Sequence, residues 1–266
     1  MVRTTVTERV EVPTDPGGRP PAIGSHSASG RSAASSEPRR ALGSHSTQRV
    51  YAIIGPDGAG KTTIARVIAA RLAEDGIRTR IAWMRSPRIV TLGVLGILRL
   101  SRLAKTVRLG DHDDVHTDLS GHPFLFHLLA WSVTFDYFLG YLGKVALPKL
   151  LLRRTVICDR FVWDAIVDLE LASGFGEDLL TLPQGRILVD LGRKHRSVLV
   201  SADSDELIRR RPILSLDPRL NRRLILYNEL AARFGLGTVD SKKTSEPESV
   251  AAVLKYLGIG PSAVAH

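Results

Sequence analysis

Apolar residues fall along this chain in runs of differing length and rhythm. "VYAII" (50–54) is continuous, the pattern of a short strand buried on both faces of a parallel sheet. Beyond a glycine-rich interruption, Ile64, Val67, Ile68 and Leu72 recur at three- and four-residue intervals, which predicts a helix from about Gly60. "IVTLGVLGILRLSRLAKTVRL" (89–109) gathers its cations toward one end. It predicts a helix over a cleft, with an amphipathic segment on an anionic membrane surface as the alternative. Residues 122–152 meet Asp136 and Lys144 before about 20 uncharged apolar residues accumulate, so they predict a long buried helix and no membrane span. "TVICD" (155–159) reads as a second buried strand, ending in a carboxylate. Trp83, Trp131 and Trp163 have apolar neighbours and are expected in the core.

Residues 1–47 lack this rhythm. Eight serines between Ser25 and Ser46, several prolines and scattered arginines predict a disordered tail. The expected organisation is that tail, one domain over 48–258 and a short C-terminal tail over 259–266. In 266 residues with 44% hydrophobic composition, one α/β domain can bury a substantial core. The lone Cys158 leaves no intramolecular disulfide and fits a core position in a cytoplasmic protein. The net charge of +10 suggests anionic ligands. No aromatic-rich basic stripe accompanies it, so small phosphorylated molecules are expected rather than nucleic acid. A weak membrane-surface contact and a homodimer stay open.

The interruption after the first strand carries the chemistry. "GPDGAGKTT" (55–63) has glycine, four spacers, then Gly60, Lys61 and Thr62, placed between a strand and a helix. In a phosphate-binding loop of this kind, made of Gly55, Pro56, Asp57, Gly58, Ala59 and Gly60, the three glycines let the chain turn so that backbone N–H groups converge on phosphate oxygens. The helix N-terminus adds its dipole, Lys61 a mobile cation, and Thr62, followed by Thr63, a hydroxyl for Mg²⁺. The implied cofactors are ATP and Mg²⁺. Asp159, at the carboxyl end of the second strand, falls where open α/β sheets gather ligands and can join Thr62 at the metal. Arg160 follows with a planar fork for a second phosphate.

"GPDGAGKTT" and "CDRF" (158–161) together resemble the thymidylate kinase family, over about residues 48–258. "RTRIAWMRS" resembles its second strand, and "SVLVSADSDELIRRR" (197–211) a later strand, helix and arginine-bearing lid. "DPRLNRRLILYNELAARFGLGTVDSKKTSEPESVAAVLKYL" (217–257) resembles the lid exit, long helix, last strand and terminal helix, with "GTVDS" flanking an adenine site. The resemblance implies a P-loop NTPase of nucleoside monophosphate kinase type, with a five-stranded parallel sheet flanked by helices and a lid near 203–223. It implies phosphoryl transfer from ATP to a nucleotide-like phosphorylated acceptor. In that scheme Lys61, Asp159, Arg160 and Arg210 are catalytic, with Arg209 and Arg211 beside the lid arginine. Thr62 and Asp159 serve Mg²⁺, while Asp57, Arg85 and Arg160 hold the acceptor.

Departures concentrate at the acceptor. "WMRSPR" replaces the family's Thr-Arg-Glu-Pro-Gly, Phe161 replaces a tyrosine, and "VWDAIVDLEL" (162–171) lacks the residues that pack around thymidylate. Asp164 and Asp168 share a helix face directed either at the acceptor or at solvent. A different class, a P-loop switch without a phosphorylated product, has "DLSG" (118–121) in its favour but no Asn-Lys-x-Asp guanine-reading motif after it.

Overall fold

The computed structural model describes residues 50–84, 89–109, 112–117, 119, 121–173 and 178–259. The expected N-terminal tail, Arg85 and all of the expected C-terminal tail except Ile259 lie outside them, as do Asp118 and Ser120 of "DLSG".

Five parallel strands form the central sheet: β1 (Val50–Ile54), β2 (Thr79–Trp83), β5 (Thr155–Asp159), β6 (Arg196–Ser201) and β7 (Gly237–Asp240), in the order β2-β5-β1-β6-β7. The central strands β1 and β5 are buried throughout, which is why their sequences are apolar without alternation. Register sets Ile53 opposite Asp159 and Ile54 opposite Leu199. Alternate β1 residues feed opposite faces. Tyr51 and Ile53 pack with Ile64 and Ile68 of α1 (Lys61–Glu74) and Val253 of α10 (Glu246–Leu257). Val50, Ala52 and Ile54 join a second cluster with Phe161, Trp163 of α5 (Val162–Ser173), Leu188 of α7 (Pro183–Arg193) and Tyr227 of α9 (Leu220–Phe234). The β1–β2 connection runs through α1 on one face, and the β5–β6 connection through α5, the short α6 (Asp178–Thr181) and α7 on the other. The carboxyl ends of β1 and β5 therefore flank a crevice.

Both long apolar stretches are broken where the sequence predicts continuity. Residues 89–109 divide into α2 (Val90–Leu100) and strand β3 (Ala104–Leu109), which pairs antiparallel with β4 (His112–Thr117). Arg102, with φ of 58°, turns the chain out of the helix. Residues 122–152 form α3 (Pro123–Tyr141), a π-helical turn (Leu142–Ala146) and α4 (Leu147–Leu150). Only one side of α3 is buried, against α2, α5 and α7. Asp136, which interrupts the apolar pattern, is buried and accepts from the amides of Val90 and Thr91 at 3.0 and 2.9 Å, capping α2. Of the three tryptophans expected in the core, only Trp163 is there; Trp131 projects outward from α3, and Trp83 is 55% exposed at the end of β2. Cys158 is buried, and burial pushes its thiol pKa up, in keeping with a packing role.

Candidate functional site

The turn from β1 into α1 is held open by glycine. At Gly55 φ is 135°, and a Cβ there would lie 2.0 Å from the Val200 carbonyl oxygen, so the loop can pass β6 only without a side chain. Gly58 and Gly60 also have positive φ, 86° and 90°. No side chain caps α1, whose first-turn amides face the loop. The Lys61 side chain lies under this loop, buried, with Nζ donating to the Pro56 carbonyl at 2.6 Å and 4.0 Å from Asp57. Burial, followed by the charge of Arg160, brings its pKa down to about 8.

Sheet register brings in the second motif. Asp159 closes β5 beside β1, and its Oδ2 accepts the Thr62 hydroxyl at 2.5 Å. Arg160 takes a left-handed backbone, φ 71°, with its amide donating to Ile53 O at 3.0 Å. A non-glycine residue in this region is held there by its surroundings. Its guanidinium pairs with Asp57 and lies 3.8 Å from Asp164. Burial opposes that positive charge, but Asp57 and Asp164 outweigh it and raise the arginine's pKa.

Asp164 is neither in solvent nor open to the cleft. Its buried carboxylate accepts from the amides of Phe161 and Gly55 at 2.7 and 3.3 Å and from the Tyr227 hydroxyl at 2.6 Å, tying the loop, the start of α5 and α9 together. Burial raises its pKa, against the pull of Arg160 and Lys61. Asp168, one turn on, faces outward and pairs with Arg223 at 2.5 Å. The sequence signal for the Asp164 brace is an acid four residues after Arg160, in the first turn of α5; nothing in the sequence singles out Tyr227.

The three arginines expected at a lid, after β6 in α8 (Ser204–Arg210) and at Arg211, diverge. Arg209 points outward and pairs with Glu206. Arg210 reaches back over the loop, donating to Ser241 O and Oγ at 2.7 and 2.9 Å and to Gly58 O at 3.4 Å. Arg211 lies 3.9 Å from Asp57. A 3₁₀ turn (Pro212–Leu216) leads from there toward α9.

These groups enclose a cavity of about 300 Å³, lined among others by Asp57, Lys61, Thr62, Trp83, Asp159 and Arg211. A second hollow of about 220 Å³ shares Gly60, Thr63 and Arg210 with it and extends to Ser241, Thr244 and Glu246. Three cations (Lys61, Arg210 and Arg211) and two carboxylates, with glycine-loop amides, make the first cavity suited to a polyanion. The Thr62–Asp159 oxygen pair has the hard-donor chemistry that Mg²⁺ takes, since that ion keeps several waters and needs only one or two protein ligands. Compared with family models and with curated proteins, the chain matches none. The site's chemistry therefore rests on its own geometry.

Proposed function

We propose that the chain is a P-loop kinase, transferring a phosphoryl group from Mg·ATP to a nucleotide-like phosphorylated acceptor. The observation that carries this reading is the 2.5 Å pairing of Thr62 with Asp159, which joins the two sequence motifs at one point beside the buried Lys61. The glycine loop and α1 N-terminus receive the triphosphate, and the hollow beside Ser241 and Thr244 has room for the base. Thr62 and Asp159 would hold Mg²⁺, which would supply charge neutralisation on the transferring phosphate. Lys61 exchanges its Pro56 contact for phosphate oxygens, and Arg210 and Arg211 add positive charge from the lid side. Arg160, fixed by Asp57 and Asp164, orients the acceptor phosphate. Such transfer gains its rate from positioning and charge rather than from a strong base, which suits a site built of cations.

Asp57 then faces both the acceptor and Arg160, while Trp83, exposed at the cavity wall, offers an apolar surface where the family's acceptor motif has changed. Thymidylate is accordingly a poor acceptor, with another nucleotide or a sugar phosphate preferred. The test is ADP formation with Mg·ATP across thymidylate, other nucleoside monophosphates, nucleosides and sugar phosphates, for the native chain and Lys61→Ala. Acceptor-dependent ADP formation, lost in the variant, is expected. Phosphate release without any acceptor would replace the kinase by a switch. Exclusive turnover of thymidylate with kcat/KM above about 10⁴ M⁻¹s⁻¹ would overturn the acceptor preference and keep the kinase.

A further inference from the structure

Helix α3 is unusual in what it leaves uncovered. Phe124, Leu128, Trp131, Phe135, Phe138 and Leu142 alternate at four- and three-residue steps along one side of the helix and its π-helical continuation, and all are exposed. The apolar surface continues onto neighbouring elements: Leu100 at the end of α2, which packs along α3, is 87% exposed, and Leu150 and Leu151 at the end of α4 are 71% and 73% exposed. Contiguous apolar surface of this kind marks a place where something docks.

The charge pattern says what. Residues 89–103 and 121–154 hold Arg99, Arg102, Lys144, Lys149, Arg153 and Arg154 against one acid, Asp136. Asp136 is buried and committed to the α2 N-terminus, so these elements present no exposed carboxylate. A second copy docked face to face would bring these cations against their own kind with no acid from the same elements to offset them. An anionic bilayer supplies the missing sign. Apolar side chains enter the acyl boundary, aromatic rings favour the interfacial level, and long basic side chains reach up to headgroup phosphates. We propose that the α2–α3–α4 face docks the protein onto an anionic phospholipid surface. Lys144 marks where this face meets the catalytic rim, since its Nζ donates to the carbonyl of Trp83 at 3.1 Å and Trp83 lines the phosphate cavity.

The experiment is co-flotation of the full chain with vesicles of phosphatidylcholine alone or with 30 mol% phosphatidylglycerol added, alongside light scattering of the free protein. Leu150→Ser/Leu151→Ser leaves every charge in place, including the arginines of the N-terminal region, and so isolates the apolar contact. Arg99→Gln/Arg153→Gln tests the charge. Circular dichroism and urea midpoints establish that both variants fold. Partitioning to the anionic vesicles at least about tenfold above neutral ones is expected, reduced about tenfold by either double variant, with a monomeric free protein. Equal partitioning to both vesicles, or none, would overturn the proposal. A dimer that does not float, and that the leucine variant splits into monomers, would assign the face to a second copy instead.

Discussion

The Tyr227 hydroxyl donates to the Asp164 carboxylate at 2.6 Å, although the two residues belong to different helices and neither is open to solvent. Through Asp164 this bond reaches the Gly55 amide, so α9 helps hold the glycine loop. Tyr227→Phe leaves a buried carboxylate short of one donor. A loss of about 1–3 kcal/mol, read from urea midpoints, is expected, with the fold retained. A stability unchanged within error would show that Asp164 finds a replacement donor.

The parts of the site that the sequence reveals are those whose chemistry lies within a few consecutive residues. The spacing of Gly55, Lys61 and Thr62 predicts the glycine turn that joins β1 to α1, and Asp159 is recognisable because an apolar strand ends on it. Asp164 and Tyr227 are legible only once α5 and α9 are packed, because 63 residues separate the partners. The central strands β1 and β5 are equally clear, being buried on both sides. Burial on one side defeats the same logic in α3: an all-apolar helix reads as core, and no local pattern tells a face covered by protein from one that is not. The β3–β4 hairpin is hidden for a related reason, since "AKTVRL" continues the apolar rhythm of α2 and only the turn at Arg102 separates them.

Arg160 offers the planar fork that a lysine cannot reproduce. Arg160→Lys should raise the acceptor KM about tenfold or more and lower kcat, while leaving the KM for ATP nearly constant, in steady-state assays varying each substrate. A change confined to ATP would move Arg160 to the donor side of the site.

Lys61, with its pKa brought down to about 8, is largely neutral at pH 8.5 before nucleotide arrives. Triphosphate oxygens favour the ammonium and raise that pKa, so binding at pH 8.5 should take up roughly half a proton or more. Calorimetry in buffers of differing ionisation enthalpy measures this uptake. Lys61→Ala should abolish it, and the native chain should bind ATP progressively more weakly as pH rises above about 8. Uptake that persists in the variant would assign the proton to another group.

His195 is buried beside Phe161, with Nε2 2.8 Å from the Tyr141 hydroxyl; burial, then Lys149 and Lys194, bring its pKa down to about 4. The unfolded chain, at the ordinary value near 6.5, binds a proton that the folded chain refuses. Stability is thus full above pH 6.5 and declines as pH falls toward 4, by about 1–2 kcal/mol between pH 6.5 and 5. His195→Gln should flatten that part of the urea-midpoint profile. An unaltered slope would place the acid sensitivity elsewhere.

The strand order also fixes a timetable for synthesis. Among the described strands of the sheet, β1 leaves the ribosome first, yet it pairs only with β5 and β6, with Val50 waiting for Val156 and Tyr51 for Arg196. About 100 residues must be added before the first of these partners exists, which at cellular elongation rates takes roughly 5–20 s. Throughout that interval "VYAII" is an unpaired, uncharged strand on a nascent chain. The centre of the finished sheet is therefore the segment most in need of shielding while the protein is being made.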